Sequence, residues 1–384
     1  MISINHISGA WLALALSAGP AAAGQTPQAP DPVPAAKKSS TGPLSGYMDF
    51  HVNKISGEDT VIDFHRFVLL FSHSFTPRIR FVGELELEHA FVEGAEPSGE
   101  LELEQAYLDF LIHRRFNIRA GMLLMPVGII NERHEPPVYN GVERPLVDTV
   151  IIPTTWFETG AGVHGEFSGG WRYRAYVTAP LNALEFSADE GIREGRQKGS
   201  RSRAPSASVT GRVEYLGVPD LTIGASFWNG RGHAFGTLLE TGVRVLEADA
   251  RFQRDRLELR GQIARVAIPD ASELNDTLLV ESGVDPNIAE RLFGVYGEAA
   301  YRILARGSPR DLVAFVRYEF ADTQHRMPAG WLPLEEFQRN QWVFGATYFP
   351  EPDIAVKVDY VWLRNKSSII KAPASFNVGL GWWF

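Results

Sequence analysis

Apolar and polar residues alternate with a period of two along almost the whole chain from Gly46 to Phe384. In "RIRFVGELELEHA" (78–90), Ile79, Phe81, Leu85 and Leu87 fall on one side, and Arg78, Arg80, Glu84, Glu86 and Glu88 on the other. "RFNIRAGML" sets Phe116, Ile118, Ala120 and Met122 against Asn117 and Arg119, and "WRYRAYVT" sets Trp171, Tyr173, Ala175 and Val177 against Arg172 and Arg174. Antiparallel strands with one apolar and one polar face alternate in this way. The pattern predicts about sixteen strands, most near the ~9–11 residues of a tilted bilayer-crossing strand. They begin near Ser45, Val61, Arg78, Leu103, Phe116, Trp156, Trp171, Ser206, Leu221, Val243, Arg256, Leu292, Leu312, Gln341, Asp353 and Ser375. The phase slips around Leu103–Gln105, where a bulge or a displaced strand start is expected.

The connections sharpen this reading. Every second one is a tight turn, at 75–78, 113–115, 168–170, 217–220, 253–255 and 350–353, with a slightly longer one at 305–310. The others are longer, above all 126–155, 180–205, 268–289 and 321–337. A sandwich has no reason to sort its connections by length, whereas outer-membrane barrels do. Trp156, Trp342, Trp362 and Phe376 fall at the loop ends of their strands, and Phe167, Trp171, Tyr348, Trp382 and Phe384 at the turn ends. Such rings are the aromatic girdles of a barrel, although sandwich strands also carry Trp and Tyr. The expected fold is all-β: a closed transmembrane antiparallel β-barrel over 44–384, since an open edge in hydrocarbon would strand its backbone polar groups.

Composition narrows the setting. The chain has 384 residues, 45% apolar and 22% charged, with no cysteine and a formal charge of −9. No apolar run approaches the ~18 residues of a spanning helix. Residues 1–23 read as a secretory signal, with an apolar stretch at 10–16 and Ala21–Ala23 as cleavage site, though without the usual basic start. Residues 24–43 read as a Pro/Ala-rich linker. The acidic balance speaks against nucleic acid as a partner.

The stretches "HRFVLLFSHSFTPRIRFVGELELEHA", "LEQAYLDFLI", "RAGMLLMPVGIINERHEPPVYNGVERP", "IIPTTWFETGAGVHG" and "FGATYFPEPDIAVKVDY" resemble the porins grouped with the phosphate-selective porins O and P. The resemblance covers nearly all of 44–384 and is most specific between Asn131 and Trp156. It implies a sixteen-stranded barrel in a bacterial outer membrane, a homotrimer, a third loop folded into the lumen, and Phe384 as the signal read by barrel-assembly machinery. Lipid and lipopolysaccharide are then the surrounding partners. Phosphate selectivity does not travel with the fold.

Candidate chemistry follows from charge. The third loop holds Glu132, Arg133, His134, Glu135, Glu143 and Arg144 among prolines, which reads as a stiff constriction or as a self-paired surface loop. Inward positions give a basic wall of Arg119, Arg172, Arg174, Arg212, Arg251 and Arg260, and an acidic wall of Glu84, Glu86, Glu88 and Glu104. Opposed walls would set up a transverse field favouring small anions. Alternatively Glu158, Glu166, Glu214, Glu247, Asp249 and Glu258 neutralise those arginines. The glycines of "GAGVHG" suit close approach of the folded-in loop. No H-E-x-x-H spacing occurs, Ser168 lies outside any nucleophile elbow, and nothing asks for a cofactor. The expected function is passive diffusion of small hydrophilic solutes, with an anion and possible phosphate preference; the alternative is a loop-plugged structural or receptor barrel.

Overall fold

The computed structural model describes residues 44–89, 99–283, 285–304 and 310–384. The signal and linker expected at 1–43, and most of the turn at 305–310, lie outside them. The strands are β1 (Leu44–Ile55), β2 (Thr60–Thr76), β3 (Ile79–Glu88), β4 (Glu100–His113), β5 (Phe116–Leu124), β6 (Phe157–Phe167) and β7 (Trp171–Thr178). A two-residue β8 (Leu181–Asn182) interrupts the series. Then come β9 (Ser208–Val218), β10 (Leu221–His233), β11 (Glu240–Arg254), β12 (Leu257–Ala267), β13 (Arg291–Arg302), β14 (Asp311–Arg326), β15 (Gln338–Glu351), β16 (Ile354–Asn365) and β17 (Ser375–Trp383).

Each long strand pairs antiparallel with the next, β7 pairs with β9, and β17 returns to β1 from Tyr47↔Trp383 to Ile55↔Ser375. Sixteen long strands therefore close a barrel. The seam extends past the last strand residue: Phe384 N–H donates to Gly46 O at 2.9 Å, and Gly46 N–H donates back at 3.0 Å. A β-carbon on Gly46 would fall 2.6 Å from the Phe384 ring, so glycine is what lets the terminal aromatic seat there.

The period-two pattern sorts lipid from lumen. On β11, Leu246 is 61% exposed, while its neighbours Val245 and Glu247 face inward and are buried. Ile263, Val177 and Phe344 continue the outward apolar band. Short turns join β2–β3, β4–β5, β6–β7, β9–β10, β11–β12 and β15–β16 at one end, with the long connections at the other. β14 runs to Arg326, so the last long loop starts later than the pattern indicated.

Three local features differ from expectation or resolve it. The slip at Leu103–Gln105 is a bulge: Glu84 pairs with Gln105 and Leu85 with Leu103, leaving Glu104 as the extra residue, turned inward and fully buried. Trp156 is not a girdle residue. Its side chain is buried against Trp228 of β10, ring centroids 5.3 Å apart. The 268–289 connection contains a helix, α1 (Ala271–Ser282), ended by Gly283 at φ 69.

Candidate functional site in the lumen and third loop

The β5–β6 connection, 125–156, is the third loop. Asn131 ties its neck: the Asn131 amide donates to Met125 O at 2.7 Å and Trp156 O at 2.9 Å, and Asn131 Oδ1 accepts from Trp156 N–H at 2.7 Å. From there the loop bonds inward-facing groups on many strands. Ile129 N–H donates to Gln262 of β12 at 2.7 Å, and Val142 N–H to Asp359 of β16 at 2.6 Å. Asn140 donates to Glu298 of β13 at 2.9 Å, and Lys357 of β16 donates to Tyr139 O and Gly141 O at 2.8 and 2.7 Å. Each bond satisfies a backbone or side-chain group that burial would otherwise penalise.

Glycines make room for this loop, but not those of "GAGVHG". A β-carbon on Gly160 or Gly162 would strike β7 backbone at 2.4 and 2.0 Å, so these positions admit the neighbouring strand. The loop is admitted by Gly294, Gly379 and Gly381, whose β-carbons would meet Ile151, Val142 and Pro136 at 2.8, 3.1 and 2.7 Å.

The six arginines of the basic wall are all paired. Arg119 holds Asp109 at 2.8 Å, and Arg260 holds Glu258 and Glu298 at 2.5 and 3.2 Å. Arg212 reaches Asp249, Glu247 and Glu214 at 2.5, 3.2 and 3.3 Å. Glu214 also takes Arg174 at 2.7 Å, Arg251 at 3.0 Å and Arg172 at 3.5 Å, and Arg172 meets Glu166 at 3.4 Å. The wall is thus a ladder of interleaved ion pairs rather than a bare positive surface. Below the loop lies a cavity of about 520 Å³ whose lining includes Ile129, Arg133, Val138, Arg251, Glu258 and Arg260. Arg133 is exposed and has no ion pair among the described residues.

The acidic wall meets the loop directly. His134 sits 3.0 Å from Glu104 and 3.7 Å from Glu84, all three buried. Burial opposes charge on His134, but Glu104 beside it prevails and lifts the imidazole to about 9. Glu86 pairs with Arg66 at 3.3 Å, and Glu88 pairs with the same Arg66 at 3.2 Å. Glu143 meets His51 at 3.2 Å and accepts from Asn53 at 2.8 Å, whereas Glu132 reaches across to Arg174 at 3.2 Å. Arg144 donates to His134 O at 3.5 Å. Glu135 is buried with one carboxylate oxygen unpartnered.

Further groups bear on the loop, among them Asp148, which the sequence already places among its charges. Asp148 is fully buried, accepts from Gln262 at 2.8 Å, and is raised to about 7 by that burial. On the fourth long connection, Arg196 donates to Thr155 O at 2.5 Å and Arg193 to Thr149 O at 3.2 Å, strapping the third loop from above. Those arginines lie in a loop without periodicity, and nothing in the sequence pairs them with positions forty residues away.

No family model matches the chain. An uncharacterized protein of Aquifex aeolicus (strain VF5) is 36% identical over 329 residues, 83% of this chain and 74% of that protein. Among solved structures, the outer membrane channel DcaP of Acinetobacter baumannii superposes with a TM-score of 0.59 at 12% identity, over 89% of this chain and 96% of DcaP. An anion-selective porin from Comamonas acidovorans superposes with a TM-score of 0.56 at 11% identity, over 89% and 98%. The chain belongs to the same family as the Aquifex aeolicus protein, and its fold is that of the bacterial outer-membrane porins.

Proposed function

We propose that the chain is a porin through which small hydrophilic solutes diffuse across the outer membrane, with the third loop as its constriction and a preference for anions. The observation that carries this reading is the cavity below the loop, where Arg133 faces Arg251 and Arg260 with Glu258 as counter-charge. At ~4–8 Å and an effective dielectric near 20, one guanidinium acts on a passing anion with about 2–4 kcal/mol. The ladder arginines are largely cancelled by their carboxylates, so Arg133 supplies most of the uncompensated field. Arginine suits this role because its fork bonds carboxylate or phosphate oxygens in either of two ways and releases them again.

The resemblance to the phosphate-selective porins O and P supports this assignment, and with it a homotrimer. Phosphate is then one of the anions expected to pass. The test is single-channel recording of the purified barrel in a planar bilayer under a salt gradient. Conductance steps with a reversal potential on the anion side are expected. A silent barrel would favour the plugged alternative, which the many bonds between loop and wall also fit.

A further inference from the structure

We infer that Glu84, Glu104 and His134 form a binding site for one divalent transition-metal ion, Zn²⁺ by donor type, which pins the third loop to the β3–β4 wall. One ligand atom from each residue lies within 4.8 Å of the others. His134 Nε2 stands 3.0 Å from Glu104 Oε2 and 3.7 Å from Glu84 Oε1. Two bonds of ~2.0–2.2 Å at a tetrahedral angle separate donors by roughly 3.3 Å, inside that bracket.

The surroundings are those of a ligand set. His134 Nδ1 lies 3.0 Å from Asn131 O, so a proton on Nδ1 donates to that carbonyl and leaves Nε2 as the free donor. The Gln105 amide donates to Glu84 Oε2, and Tyr47 O–H donates to Glu84 Oε1 at 3.4 Å, orienting that carboxylate. The bulge at Glu104 is what aims its side chain at the loop.

A second, independent observation points to a cation. Glu104 Oε1, Glu86 Oε2 and Glu135 Oε2 are buried without a hydrogen-bond partner among the described residues. Among the described residues neither Glu84 nor Glu104 forms a salt bridge with a lysine or arginine, so with His134 neutral as a ligand their charge is left unbalanced. A divalent ion balances that excess, whereas unpaired buried carboxylates are costly. The more open group Asp63, His65 and His89 is a poorer site, because Arg66 Nη2 stands 2.9 Å from His65 Nε2 and places a cation against the ligand. The inference stands apart from conduction, since binding is measured without current.

The test uses the untagged full chain in detergent, stripped with chelator and titrated with Co²⁺. One equivalent with the visible absorption of four-coordinate Co²⁺, displaced by Zn²⁺, is expected. His134→Gln and Glu104→Gln should each weaken binding at least tenfold, and His89→Gln should not. X-ray absorption of the Zn²⁺-loaded wild type, which needs no variant to fold, should show a single imidazole ligand among oxygens. No saturable binding by folded wild type, undiminished binding in His134→Gln, or two imidazoles around the ion would each overturn the site.

Discussion

The two sides of the lumen handle charge differently. On β1–β4, carboxylates lie under the third loop, which His134 joins to Glu104 and Glu84 in a buried contact and Glu143 joins to His51 and Asn53 in a more exposed one. On β7–β12, arginines and carboxylates pair with each other along and across the strands, and the space between wall and loop stays open. The lesson is that a charged barrel wall is either a docking surface for a loop or the bank of a channel. What decides is where the counter-charges sit. Where the loop supplies the partner, as His134 does for Glu104, the wall closes; where the charges pair mainly among strands, the loop touches the wall at points such as Glu132–Arg174 and Ile129–Gln262 and leaves a cavity between.

The largest effect should come from the strand-paired side. Arg212→Met leaves buried Glu247 without an arginine partner and Asp249 with only Arg251 at 3.8 Å, and loss of one partner of a buried pair costs about 3–5 kcal/mol. Heat-modifiable migration and thermal unfolding should show a much less stable barrel, whereas Arg115→Ala at a tight turn should leave both unchanged. Next in size is Gly381→Val, which drives a side chain into the seat of Pro136 and should loosen the loop on the docked side. Faster cleavage of the third loop by added protease would register it; an unchanged rate would mean that the contact does not hold the loop.

Arg133→Ala should act on the open side alone, shifting the reversal potential towards cations without changing stability. Added salt should shrink that shift, since screening length falls to roughly 3 Å at ~1 M. The smallest effect concerns pH. Asp148 faces Gln262, Glu319 and Arg317, and its acid form is favoured by burial, with a pKa of about 7. A raised folded pKa gives stability that is full below the unfolded value near ~4 and gone above about 7. Protease protection of the loop should therefore decline from pH 5 to 8 in wild type, and stay flat in Asp148→Asn.

Much of this arrangement was legible in the sequence. Lipid on one side and charge on the other impose a strict period of two, so strand starts were readable to within a few residues. The bulge at Glu104 was readable too, as a slipped phase. What periodicity cannot give is cross-strand register. "VEYLGV" and "LEADARF" place Glu214, Glu247, Asp249 and Arg251 on the lumen face, but only pairing such as Ser226↔Arg212 and Ser226↔Glu247 brings them together. Trp156 was misread for a related reason: at a strand end, the side covered by a loop is as apolar as the side facing lipid. Helix α1 did leave a signal, Asp270 three residues before Glu273 and Gly283 at its end, outweighed by the surrounding strands. The contact of His134 with Glu104 spans thirty residues and left no signal at all.

The claim that solutes pass on the arginine side is tested most directly by thiol modification, because the chain has no cysteine of its own. Thr222→Cys lies on the cavity, and Tyr107→Cys lies buried on β4, outside the cavity lining. With a charged thiosulfonate added during single-channel recording, the account predicts a stepwise fall in current for Thr222→Cys and none for Tyr107→Cys. A current fall confined to Tyr107→Cys, or equal in both, would contradict it.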